Sequence, residues 1–118
     1  PARPGNAGLA RVLDLSRMLR RLQRLQWLPA IHFVMSRRGC DSLVEDFALS
    51  LGLPRWRSCL LVTPGERDAI EVRLEAFAEA HPEVQISTIE RRALLGGVAA
   101  HHAGHLPAQR ALVERLFE

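Results

Sequence analysis

Lysine and tyrosine are both missing from this chain of 118 residues, and cysteine occurs only twice. No apolar run approaches the roughly 20 residues that a bilayer-spanning helix needs, and Pro1 to Gly8 is too polar and turn-forming for a secretion signal. A soluble intracellular chain is therefore expected. Cys40 and Cys59 are too few and too far apart for a disulfide framework or a thiolate metal knuckle, so reduced, buried thiols are expected. No glycine-rich phosphate loop of the Walker type is present, and no acidic quartet follows a strand, so the chain cannot hydrolyse ATP unaided. No internal repeat or low-complexity tract occurs. With lysine absent, all 16 basic residues are arginine, giving a net charge of +3. The main reading is compositional bias. The functional one is affinity for phosphate or other acidic partners, which guanidinium serves by forked hydrogen bonding.

What is present suits one domain: 47% of the residues are hydrophobic, as in a globular chain. At this length about two-thirds of the unfolded surface should be buried. The chain divides into a linker, residues 1–8, and a domain, residues 9–118. A first helix is read from Leu9 to about Trp27, with Val12, Leu15, Leu19, Leu22 and Leu25 on one stripe and Arg17, Arg20, Arg21 and Arg24 on the solvated arc. After Pro29, the run Ala30-Ile31-His32-Phe33-Val34-Met35 has the length and composition of a central strand. Ser36-Arg37-Arg38-Gly39 turns out of it into a helix striped by Cys40, Leu43, Val44, Phe47, Ala48 and Leu51, with Asp41, Glu45 and Asp46 outward. Strand, turn and helix make half of a βαβ unit.

Residues 52–58 read as irregular, and Leu60-Leu61-Val62 is not taken as a strand despite its composition. Thr63-Pro64-Gly65-Glu66 has the spacing of a capping box with proline at the first helical position. That predicts a helix to about Ala80, with Ile70, Leu74 and Phe77 buried and Pro82 beyond its end. Ser87 and Glu90 offer a second capping box, for a short helix ended by Gly96-Gly97. Val98-Ala99-Ala100-His101 reads as the second strand, and Pro107 opens a last helix with Ala108, Leu112 and Leu116 on one side.

Three histidines within five residues, His101, His102 and His105, invite a metal reading. Gly104 and Pro107 break the segment, however, no glutamate lies between the histidines, and no fourth ligand is evident, so no metal site is assigned. A nucleophilic Cys40 is weaker still, because it lies on a core-facing stripe. What remains is a pair of strand ends, Ser36-Arg37-Arg38 and His101-His102-Ala103-Gly104. In a parallel sheet both would open on one edge, where small residues and helix amino ends suit a phosphodiester.

These segments resemble a known family. Leu28-Pro29-Ala30-Ile31-His32-Phe33-Val34-Met35-Ser36-Arg37-Arg38-Gly39-Cys40-Asp41 is similar to motif IV of the superkiller-type DExH-box RNA helicases of superfamily 2. Gly97-Val98-Ala99-Ala100-His101-His102-Ala103-Gly104-His105-Leu106-Pro107 resembles their next block, and the capped helix and the Gly96-Gly97 exit keep the family's layout between them. The resemblance runs from Leu9 onward. It implies an α/β fold: the first part of the second RecA-like motor domain, an incomplete parallel sheet flanked by helices and cut before motifs V and VI.

By the same resemblance, Ser36 and Arg37 contact the sugar-phosphate backbone and His102, Ala103 and Gly104 shape a second contact. Arg110 stands where the family has lysine, and His105 where it mostly has an apolar residue. The implied partners are single-stranded RNA, or DNA, and the remainder of the helicase motor, with no membrane. The compartment is the cytoplasm, or a plastid. ATP and Mg2+ belong to the parent enzyme and no cofactor to this chain, which is inactive alone. The alternative is a non-catalytic α/β adaptor for nucleic acid or an acidic protein, with a metal hydrolase third.

Overall fold

The computed structural model describes residues 6–31, 33–51 and 62–117. Five helices occur among them: α1 (Asn6–Arg24), α2 (Arg37–Ser50), α3 (Pro64–Ala80), α4 (Thr88–Leu95) and α5 (Pro107–Leu116). His32, Cys59, the irregular 52–58 stretch and Leu60-Leu61 lie outside the described residues.

Side-chain caps open α2, α3 and α4. The Thr63 hydroxyl accepts from the Glu66 amide at 3.1 Å and the Glu66 carboxylate accepts from the Thr63 amide at 2.9 Å. The expected capping box is complete, and α3 ends at Ala80 before Pro82. The Ser87 box is only half made. Its hydroxyl accepts from the Glu90 amide at 3.1 Å, but Glu90 Oε2 is drawn to the Gln109 amide group on α5 at 2.7 Å. At the end of α4, Gly97 takes φ 96° while its amide donates to Leu94 and the Val98 amide to Ala93, a Schellman motif. The same motif closes α1 at Arg24, three residues before the expected end near Trp27: the amide of Gln26, at φ 61°, donates to Gln23 and that of Trp27 to Leu22. There the left-handed position is held without glycine, so composition gives no stop signal.

Packing centres on the eight-residue α4. Ala93 joins Val12 of α1 and Val44, Phe47 and Ala48 of α2 in one cluster. Leu94 and Leu95 join Leu74 and Phe77 of α3, Val84 and Leu112 of α5 in the other. Three consecutive buried residues on a helix need cover on opposite sides, which α2 and α3 supply. The α4 backbone also approaches α2 closely: a Cβ on Gly96 would stand 2.7 Å from Leu51 Cδ1 and 3.1 Å from Phe47 Cε1.

The expected α/β class, a partial RecA-like parallel sheet, is overturned, because no strand forms among the described residues. Of the first expected strand, Ile31, Phe33 and Met35 are 83%, 88% and 102% exposed. An apolar run signals a demand for burial; it does not provide the neighbouring strand whose amides and carbonyls would complete a ladder. The second, Val98 to His101, forms no strand. Its alternation is used between helices instead, with Val98 and Ala100 packing on the first cluster and Ala99 on the second. No helix among the described residues is long and apolar enough to cross a membrane.

Candidate functional site

The two loops singled out in the sequence lie against each other. Ser36, in extended backbone at φ −140° and ψ 155°, caps α2 by accepting from the Gly39 amide at 2.9 Å. Its carbonyl takes the Cys40 amide, also at 2.9 Å. Arg37 and Arg38 follow as the first helical residues and are exposed. One turn into α2, Asp41 Oδ1 lies 2.8 Å from Nε2 of His102, 61 residues away in sequence. A Cβ on Gly104 would stand 3.5 Å from Arg37 Cδ. Ser36, Arg37, His102, Ala103 and Gly104 are thus brought to one place, with Ala103 and Gly104 exposed.

The two neighbouring rings of His101 and His102 meet different helices. His101 Nε2 meets Glu114 of α5 at 3.0 Å, while His102 reaches α2. Nδ1 of His102 accepts the Gly104 amide at 3.1 Å, and the His102 carbonyl accepts the His105 amide at 3.1 Å. The turn is therefore folded around the His102 ring. Gly104 is small for that ring: a Cβ would meet Nδ1 and Cε1 at 3.0 Å. The Gly104 amide is spent inside the turn. Arg110 sits on the first turn of α5 with Nε buried and unpartnered, and no hydrogen bond joins it to either loop among the described residues.

Asp41, His102 and His105 each offer a potential ligand atom, all within 4.8 Å of one another. Their hydrogen bonds describe another arrangement. With Nδ1 accepting from Gly104, a neutral His102 carries its proton on Nε2 and donates it to Asp41, leaving no lone pair there for a cation. A metal-binding imidazole has the reverse pattern, its second nitrogen donating. The His102 and His105 rings are stacked, centroids 3.9 Å apart and planes 19° from parallel. Burial, and then the neighbouring His102, hold the His105 pKa below its ordinary value, while Asp41 and Glu90 pull the other way. His105 Nδ1 is buried without a hydrogen-bond partner among the described residues.

A groove of about 510 Å³ opens beside these rings and is lined by Asp41, Glu45, Glu90, His102, His105 and Gln109 among others. Its three carboxylates disfavour phosphate. Sequence reasoning set Asp41 aside as a solvated residue of α2 and missed Glu114 and Gln109; each acts through a partner on a different element, which no local pattern reveals. Cys40 is half-buried and free.

Relatives were found over most of the chain. It is 34% identical over 109 residues to the DExH-box ATP-dependent RNA helicase DExH15, chloroplastic, of Arabidopsis thaliana, covering 92% of this chain and 8% of that protein. It is 43% identical over 95 residues to the probable helicase HelY of Mycobacterium leprae, covering 76% of this chain and 10% of the relative. To the probable helicase HelY of Mycobacterium tuberculosis it is 37% identical over 118 residues, covering 96% and 12%. The chain spans about a tenth of the length of these curated relatives. Neither a family model nor a solved structure matches it. The chain is a homologue of a short segment of helicases, one of them a DExH-box RNA helicase, which bears out the resemblance read from residues 28–41 and 97–107.

Proposed function

We propose that this helicase-segment homologue contributes single-strand backbone contacts to an ATP-dependent RNA helicase that unwinds or translocates RNA. The observation supporting this most is the junction of the two motifs, with Arg37 beside Gly104 and Asp41 on His102. In this reading Arg37 is the principal phosphate contact. Ser36 keeps its hydroxyl proton free to donate while its oxygen caps α2, and His102, Ala103 and Gly104 shape the adjoining surface. Arg110 is a peripheral contact. Backbone contacts position a strand without reading its bases, so no base specificity is expected.

In this reading ATP and Mg2+ belong to the rest of the parent, since this chain carries no Walker loop, and the remaining motor is the second partner. The cytoplasm, or a plastid, is the compartment this reading implies.

The test is a titration of labelled single-stranded RNA, with DNA of the same sequence in parallel, against the parent chain and Arg37→Ala at two salt concentrations. Each phosphate neutralised contributes about 0.7 to the logarithmic salt slope, so Arg37→Ala should bind more weakly with a slope smaller by roughly that amount. Equal affinity of the two proteins would remove Arg37 from the contact. Absence of any binding would favour an adaptor for an acidic protein.

A further inference from the structure

We infer that Asp41 is a positioning residue for the 102–104 turn: it holds His102 in the orientation in which the ring's Nδ1 organises the backbone at Gly104. The inference deepens the proposed function, since it concerns the same contact and rests on that reading for its consequence. Its own basis is geometric.

His102 is used at both ring nitrogens. Nδ1 accepts the Gly104 amide at 3.1 Å, and the Nε2 proton is directed at Asp41 Oδ1, 2.8 Å away. His105 stacks on the ring face at 3.9 Å. The His102 side chain is only 15% exposed, whereas that of Asp41 is 56% exposed. The ring is consequently fixed from three directions, and Asp41 is the one that lies on another helix. Because Asp41 is a single turn beyond Arg37 on α2, the bond also sets the distance between the arginine loop and the turn. Without an acceptor at Nε2, the ring is free to rotate about its side-chain torsions, and the Gly104 amide loses its partner whenever it does.

Two neutral substitutions separate this from simple charge. Asp41→Asn keeps an oxygen able to accept from Nε2–H; Asp41→Ala does not. Removing the negative charge beside a phosphate site favours binding equally in both, so their difference reports the hydrogen bond. The expected result is a downfield Nε2 proton resonance of His102 in the parent and Asp41→Asn that is absent in Asp41→Ala. Hydrogen exchange at the Gly104 amide should be about fivefold faster in Asp41→Ala, the effect of losing one ordinary hydrogen bond. Single-stranded RNA should bind Asp41→Ala about fivefold more weakly than Asp41→Asn.

Equal Gly104 exchange in the parent and Asp41→Ala overturns the inference. Faster exchange with no difference in RNA affinity between the two variants sustains Asp41 as a positioning residue and refutes the turn as a contact, so the two failures are distinguishable. Should Asp41→Ala not fold, His102→Phe serves instead, as it keeps a ring and deletes both nitrogen contacts. Faster Gly104 exchange in that variant supports the role of the ring; unchanged exchange overturns it.

Discussion

Replacing His105 by leucine should stabilise the protein, and the sign can be worked from the structure. His105 carries one buried nitrogen, Nδ1, with no hydrogen-bond partner among the described residues. An unsatisfied buried polar atom costs about 1–3 kcal/mol. Against that, leucine forfeits the stacked contact with His102 at 3.9 Å, and an aromatic pair contributes about 0.5–1.5 kcal/mol beyond its area. The difference favours leucine by about 1 kcal/mol at neutral pH, or about 4 °C in Tm for a domain of this size.

The effect should grow in acid. Burial and His102 lower the His105 pKa, so the unfolded chain binds the proton more readily than the folded one. The stability that a neutral His105 permits is complete above the ordinary imidazole range near 6.5. It is lost as the pH falls from there towards the lowered folded value, and is constant below it. His105→Leu lacks this loss, so its advantage over the parent should widen on going below about pH 6.5 and then level off. Urea unfolding of both proteins from pH 7.5 to 4.5 reads the difference directly. A variant less stable than the parent at neutral pH would refute the cost assigned to Nδ1; a difference independent of pH would refute the titration argument.

Other substitutions test the frame that holds the site. Gly97→Ala forces a side chain into φ 96° and should cost about 1–2 kcal/mol. Gln26→Gly relieves the same conformation at φ 61° and should gain about 0.5–1 kcal/mol, both read from chemical denaturation; the same sign at both positions would exclude a conformational cause. Phe47→Ala empties the fully buried contact between α1, α2 and the Gly96 backbone, and a loss of about 3–5 kcal/mol is expected in the same assay. A loss under 1 kcal/mol would mean that the first cluster does not hold α4 on α2.

Features decided within a few residues were legible in the sequence, and features decided by distant partners were not. The Thr63–Glu66 box, the proline openings of α3 and α5, the glycine exit of α4 and the buried Val12, Leu15, Val44, Phe47, Leu74 and Leu112 follow from local spacing and period. The sheet did not follow, because an apolar run cannot announce whether a second strand will lie beside it. The second expected strand, 98–101, fails for the same reason, although its small apolar residues still alternate between the two clusters. The site shows the same division. Ser36 and Arg37 were singled out by the turn before α2 and by the resemblance of residues 28–41, and the turn at 102–104 by its histidine, alanine and glycine. The residue joining these two pieces, Asp41, looked like any outward carboxylate on α2. Only the 2.8 Å approach of a histidine 61 positions away distinguishes it from Glu45, one turn further on and lining the same groove. A carboxylate on a surface helix thus acquires its role from what the fold brings to it, and two acids with the same helical setting divide into a ring anchor and a groove-lining charge.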